Sequence, residues 1–228
     1  MVCLVLEASS FLAPLLALPG VHAGWCARVA GVDVACERDE AMRRLRPHHQ
    51  QWLAARGGGG GTLWRAEQLH DNRVAVVPGA ETMVAADGLP CVPGADGLVT
   101  TTPGVTLAIY VADCGPIWLA DPVRRAVGLL HSGKKGTERD ILGAGIDAMR
   151  RSFGSDAGDV VAVLGPCIRP PDYDVDFAAE IARQAARHGV GGYFDCAVNT
   201  ATDLDIHYSY RRELGKTGRM LATIRLDS

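Results

Sequence analysis

The sequence predicts an α+β fold with an antiparallel meander at its centre, and three observations carry that expectation. Short β-like runs follow one another at Arg73 to Val77, Gly97 to Thr100, Val105 to Val111, Pro116 to Ala120 and Ala126 to Leu130. The linkers Thr102-Pro-Gly and Asp121-Pro-Val-Arg-Arg are turn formers too short for helical crossovers, so the three runs from Val105 to Leu130 are expected to be antiparallel neighbours. Stretches of helical spacing before and after this block supply the α part.

From the N-terminus, Phe11 to Gly20 is apolar and leads into Val21-His-Ala-Gly, an A-x-A-like string. A signal peptide also requires a basic n-region, whereas Glu7 is acidic and the first basic side chain is Arg28, so a cytoplasmic protein is expected. Glu37 to Arg56 is rich in Arg, Ala, Leu and Glu and predicts a helix. Gly57 to Gly61 cannot hold regular structure and predicts a flexible loop. The piece ahead of it is short for an independent domain, which favours one domain over residues 1–228.

After the meander, Thr137-Glu-Arg-Asp has the spacing of a capping box, and Ile141, Ile146, Met149 and Phe153 follow on one helical face. Asp159 to Leu164 predicts a strand, Phe177 to His188 a helix, Ile206 to Leu214 a further helix, and Arg219 to Leu226 a closing strand.

With 228 residues, 48% of them hydrophobic, the chain can bury a sizeable core without staples. Its net charge of -3 and the absence of basic blocks exclude the footprint of a nucleic-acid binder. No apolar run reaches the ~20 residues of a membrane span. The seven cysteines are odd in number and widely spaced with no CxxC pair, which suits free thiols in a reducing compartment. A small-molecule partner is therefore expected.

His70, Cys114 and His131 each stand at the end of a β-like run. Two imidazoles and a thiolate are donors that zinc prefers, and three of them leave an open position, the arrangement of a catalytic site. Spacings of 44 and 17 residues match no local metal motif. On these residues alone, Cys114 could equally be a small buried hydrophobe and each histidine a loop residue bonded to backbone. Asp113 and Gly115-Pro116 place Cys114 at a tight turn, and Ser132-Gly133 does the same for His131.

Lys134 and Lys135 open onto a helix and could hold a phosphate, or could be a solvated pair. Gly165 to Val175 is dense in turn formers and predicts a pocket-wall loop. His48, His49, His188 and His207 are assigned to surface or capping roles, and Cys3, Cys26, Cys36, Cys91 and Cys196 to none. Cys167 lies in the loop that could approach a metal.

Taken in order, Gln68-Leu-His, Asp96-Gly-Leu-Val-Thr, Ala112-Asp-Cys-Gly-Pro with Asp121-Pro, His131-Ser-Gly-Lys-Lys-Gly and Gly165-Pro-Cys-Ile with Tyr173-Asp-Val resemble the YfiH-like family, also called the laccase-domain or multicopper polyphenol oxidase family. The resemblance runs from about Leu18 to Leu226. It implies a single-domain layered α/β sandwich with mixed, largely antiparallel sheets. It also implies one zinc or copper ion on His70, Cys114 and His131, and phosphorolysis of adenosine, inosine and methylthioadenosine with adenosine deamination as a side activity.

By the same resemblance Cys114 and Lys135 are catalytic, and Arg28, Gln68 and Lys135 bind the nucleoside and phosphate. The family's Trp-Arg pair is Lys134-Lys135 in this chain, a point charge in place of a planar fork. Lys135 takes the Arg position and is expected to face the pocket, with Lys134 the more exposed. The alternatives are a copper polyphenol oxidase and a catalytically silent relative that binds a metabolite.

Overall fold

The computed structural model describes residues 10–56, 62–86 and 88–227. Cys3, Glu7 and the five-glycine loop lie outside them.

Two sheets face each other across the main core. The first has four strands in the order β1-β12-β7-β2, where β1 is Val21–Cys26, β2 Leu63–Arg65, β7 Thr106–Val111 and β12 Met220–Leu226. The second has six in the order β11-β10-β8-β9-β6-β3: Gly192–Asp195, Val161–Leu164, Gly115–Asp121, Ala126–Ser132, Gly97–Thr100 and Val74–Val76. Strands β4 (Met83–Val84) and β5 (Pro90–Cys91) form a small separate hairpin. Both large sheets are mixed, with β2 parallel to β7, β3 to β6 and β10 to β11, and antiparallel pairing elsewhere.

The near-continuous apolar character of the central strands follows from burial on both faces. Along β7, Leu107, Ile109 and Val111 enter the core between the sheets, while Ala108 and Tyr110 pack outward under Met42 and Leu53 of α2 (Arg38–Ala54). Along β8, Trp118 and Ala120 face the inter-sheet core, whereas Ile117 and Leu119 pack against α4 (Ile141–Phe153) and α5 (Phe177–Arg187). The result is four layers, helix, sheet, sheet, helix. Trp118 ties the two sheets together by donating its indole N–H to Thr223 O at 2.8 Å. The apolar N-terminal stretch belongs to this core: Leu12 and Leu15, flanking and within α1 (Ala13–Leu16), are fully buried. Phe11 meets Trp25 and Trp118 edge-on.

Four expectations are corrected. The three runs from Val105 to Leu130 are not one meander. Strands β8 and β9 form an antiparallel hairpin, but β7 lies in the other sheet between β12 and β2. A short turn shows that two strands are close, not that they share a sheet, and full burial of both faces removes the alternation that could have told.

Thr137 does not cap the long helix. It ends a short turn of helix, α3 (Lys134–Glu138), where its hydroxyl bonds Gly133 O and Ser132 Oγ, each at 2.8 Å. The cap is Asp140, in the left-handed region at φ 60°, accepting from Gly143 N at 3.1 Å.

Residues Ile206 to Leu214 form turns, not a helix. There the Glu213 carboxylate accepts from Ser209 N, and Leu214 adopts φ 52°, so side-chain bonds to backbone replace helical ones. Finally, His49 and His207 are buried; His49 packs on Tyr110 with ring centroids 5.5 Å apart.

Candidate metal centre and its cavity

Three adjacent strands of the six-stranded sheet deliver the centre. Cys114 immediately precedes β8, His131 is the penultimate residue of β9, and Asp96 immediately precedes β6. Because β9 pairs antiparallel with both neighbours, opposing Pro116 to His131 and Gly97 to Leu130, the three residues meet at one end of the sheet. This end is also where the chain crosses from β7 in one sheet to β8 in the other, through the Ala112–Asp113–Cys114 corner.

His70 comes from a loop that Asp96 organises. Its carboxylate accepts the backbone N–H groups of Leu69, His70 and Asp71 at 3.0, 2.9 and 2.9 Å. The same carboxylate bonds His131 Nδ1 at 2.8 Å, and Asp96 O accepts from His131 N at 2.7 Å. One buried side chain thus fixes the His131 ring and the backbone of the His70 loop, and its bond to Nδ1 leaves Nε2 of His131 turned to the cavity. Burial acts to raise the Asp96 pKa, yet the His131 bond and the loop N–H groups hold it below the ordinary value.

Backbone strain concentrates here. Gln68, His70 and Asp113 adopt φ of 67°, 64° and 79°, a region that costs a non-glycine residue about 1 kcal/mol or more. Each is held by bonds that over-determine it. The Gln68 amide donates to Tyr110 O at 2.6 Å and accepts from Tyr110 N at 2.9 Å, extending the parallel pairing of β2 with β7 by a side chain. Asp113 accepts from Thr200 Oγ1 and from Arg211 N, each at 2.7 Å, while its own carbonyl accepts from Ile168 N.

The donor atoms of His70, Cys114 and His131 all lie within 4.8 Å of one another. Burial pushes the Cys114 thiol up, but the His131 charge and hydrogen bonds from both imidazoles outweigh it and bring the thiol below its ordinary value. The sulfur is thereby biased to the thiolate, its ligating form. Gly133 completes the cradle: a Cβ there would stand 2.8 Å from Cys114 Sγ and 3.1 Å from His70 Cδ2. Two imidazoles, a thiolate and a side kept clear by a glycine fit a zinc-sized cation with an open coordination position.

The centre opens into a cavity of about 840 Å³, near the upper end of the range for small-molecule sites. Tyr110, Tyr173, Phe177 and Tyr210 give it aromatic walls, and the turn-rich loop after β10 contributes Ile168 and Tyr173. Lys134 and Lys135 both line it and both are exposed, so the structure does not single out Lys135 as expected.

Two residues expected to bind substrate have protein partners of their own. Arg28 is not among the lining residues; its guanidinium bonds Glu213 Oε1 at 3.0 Å and lies over the Tyr208 ring. Gln68 lines the cavity, but its amide is consumed by Tyr110 and is a scaffold bond, not a free substrate contact. Cys167 is fully buried beside the centre without joining the triad, and burial holds it as a thiol.

Sequence reasoning missed Arg38, Arg211 and Arg219, which line the cavity from α2, from the turns after Tyr208 and from just before β12. No local signal marks them, because three unremarkable arginines on distant segments become neighbours only through the sheet crossing. Asp96 was legible as part of a matching string, but its role as organiser was not.

The sequence matches the family model described as multi-copper polyphenol oxidoreductase laccase over residues 40–189 and 172–227, and the chain belongs to that family. Among its relatives, a purine nucleoside phosphorylase of Deinococcus radiodurans is 32% identical over 94% of this chain and 91% of its own length. The purine nucleoside phosphorylase YlmD of Bacillus subtilis is 30% identical over 70% of this chain and 69% of its own length. The fold is that of the hypothetical protein YfiH of Bacillus licheniformis, with TM-score 0.77 and 22% identity over 91% of this chain and 93% of that one. YlmD of Geobacillus stearothermophilus has the same fold, with TM-score 0.77 and 23% identity over 92% of this chain and 93% of that one. Among the described residues no helix is long and apolar enough to cross a membrane.

Proposed function

We propose that this protein is a metal-dependent purine nucleoside phosphorylase acting on adenosine, inosine and methylthioadenosine, with adenosine deamination as a side activity. The observation that carries the reading is the convergence, in one cavity, of a His-Cys-His donor set with cationic side chains and aromatic walls. The names of the relatives support it.

A zinc ion bound by His70, Cys114 and His131 would supply Lewis acidity at the open position. The chain supplies the rest. Asp96 fixes the His131 ring and keeps its Nδ1 from competing for other partners. Lys134 and Lys135 hold inorganic phosphate by charge, Lys135 being the residue in the family's Arg position. Tyr173 and Tyr210 offer faces on which a purine can stack, which would position the ribose C1′ against the incoming phosphate. The six free cysteines of the described residues suit the reducing compartment of the cytoplasm.

The second reading, copper-dependent phenol oxidation, rests on the family's name. Electron transfer to oxygen ordinarily uses several coppers, and among the described residues a single donor cluster is present. One experiment decides. Zinc-loaded protein should release free base from adenosine or inosine when phosphate is present, Cys114→Ser should lose that activity, and phenol turnover should stay at the level of free copper ions. Copper-loaded protein that oxidises phenols well above that background while nucleosides stay intact would establish the oxidase. Nucleoside binding without turnover of either kind would mark a silent relative.

A further inference from the structure

Three segments beside the cavity contain neither helix nor strand: the loop from Gly165 to Val175, the turn at Thr200, and the turns from Ile206 to Leu214. A single bridge, Cys167 with Asn199, joins the first two. Irregular chain has no ladder to satisfy its backbone groups or to fix its place, so side chains must do both. All three segments converge on Asp113. Its carbonyl accepts from Ile168 N at 2.8 Å, its Oδ1 from Thr200 Oγ1 at 2.7 Å, and its Oδ2 from Arg211 N at 2.7 Å.

These segments carry the aromatic wall. Tyr173 comes from the first and Tyr210 from the third, and both line the cavity together with Arg211. The Arg211 guanidinium lies 5.1 Å from the centre of the Tyr173 ring, so the two segments also meet on the cavity side. The residue that gathers them stands next to a metal donor, Cys114. Asp113 is itself buried and both its carboxylate oxygens accept a bond, which suits an anchor and not a group that meets substrate. It also keeps φ 79°, a conformation in which glycine would be at ease. A side chain retained at a strained corner points to work done by the side chain.

We infer that Asp113 is a positioning residue for the nucleoside site: through its carboxylate and its carbonyl it holds the segments bearing Tyr173, Tyr210 and Arg211 at a fixed place relative to Cys114. The inference deepens the phosphorolytic reading and rests on it for the identity of the ligand. A nucleoside entering between these segments and the metal donors then binds without first ordering them, and its affinity falls when the carboxylate is removed. Two substitutions separate side chain from backbone. Asp113→Gly keeps the left-handed corner with less strain and deletes both carboxylate bonds. Asp113→Asn keeps both bonds, since its amide oxygen accepts from Arg211 N and its amide N–H donates to Thr200 Oγ1.

Calorimetric titration of the zinc-loaded protein with inosine, run beside steady-state kinetics and zinc analysis, tests this. Asp113→Gly should bind inosine about tenfold more weakly than the parent at unchanged zinc content, as the loss of a charge-assisted anchor allows. Asp113→Asn should stay within about threefold of the parent. In the kinetics the loss should fall on KM more than on kcat, a split that a merely less stable protein would not show. Should Asp113→Gly fail to fold, Thr200→Val carries the test, because it keeps the buried volume, deletes the Oδ1 bond alone and should weaken inosine about threefold. Parent-like affinity in Asp113→Gly, or in Thr200→Val where that variant stands in, would overturn the inference, as would Asp113→Asn binding no better than Asp113→Gly. Base release with inosine affinity unmoved by Asp113→Gly would leave phosphorolysis standing and remove this inference. Affinity lost in Asp113→Gly and restored in Asp113→Asn, with no base release from any of them or the parent, would keep the positioning and remove phosphorolysis. A parent that binds no inosine would remove both.

Discussion

The two parts of the cavity wall follow opposite rules. Around the metal donors every polar group is committed: Asp96 serves three N–H groups and an imidazole, Gln68 both backbone groups of Tyr110, and Asp113 a hydroxyl and an amide. Three left-handed residues are tolerated there because so many bonds fix them. Elsewhere on the lining, Arg38, Lys134, Lys135 and Arg211 are exposed cations with no carboxylate partner among the described residues. The first group is fixed by its own hydrogen bonds, whereas the second leaves its charges open to an anion; on the proposed reading, chemistry and anion binding would sit on separable residues.

The largest expected effect separates the walls by stability. Asp96→Ala strips the partner from a buried imidazole and from three loop N–H groups, so denaturant unfolding should show a loss of about 3–5 kcal/mol. Metal affinity, read by competition with a chelator, should fall about 10–100-fold. Arg38→Ala, on the exposed wall, should stay within about 0.5 kcal/mol of the parent. Equal losses from the two substitutions would erase the distinction.

A pH experiment probes what lies behind the cationic wall. His49 is buried against Tyr110, and burial, then the nearby His48 charge, lowers its pKa from 6.5 to about 4. Unfolded chains bind this proton more readily than the native protein between those values. The stability from keeping His49 neutral is therefore complete above about pH 6.5 and lost as pH falls toward 4, about 3 kcal/mol in all. His49→Phe should flatten that part of the pH–stability curve, and an unchanged slope would mean that His49 is not the group responsible.

Gln68→Ala should cost about 1–3 kcal/mol by orphaning the Tyr110 backbone groups. Gln68→Glu should recover only the acceptor half, and thermal unfolding of the two variants orders them. The smallest effect concerns the lysines. Lys135→Ala should weaken phosphate binding about threefold more than Lys134→Ala, within the range of single exposed charges, as competition titration can resolve. Equal effects would make them a solvated pair.

Much of this was legible in the sequence where local chemistry decides. Strand β6 was placed at Gly97–Thr100 as read, and the segments holding α2, α4, α5 and β12 were located to within a few residues, because apolar spacing and turn residues act locally. The residue types of the His70, Cys114 and His131 cluster were readable, and Cys114 and His131 do stand at strand ends, while His70 comes from a loop. The placement of β7 in the four-stranded sheet, apart from β8 and β9, was not, since Leu107 and Tyr110 are apolar on both faces of a doubly covered strand. Nor was the burial of His49, whose neighbours on α2 are polar, or the placing of Arg38 and Arg219 on one cavity lining, which depends on how distant elements stack. Arg28, which the resemblance assigned to substrate binding, pairs with Glu213, a carboxylate distant in sequence.

The most direct test of the central claim is the product balance when metal-loaded protein is incubated with inosine and phosphate. Phosphorolysis predicts hypoxanthine and ribose 1-phosphate in equal amounts, none of either without phosphate, and none from Cys114→Ser. Hypoxanthine appearing with free ribose at the same rate whether or not phosphate is present would contradict it, and would make the cationic wall a site for something other than the attacking group.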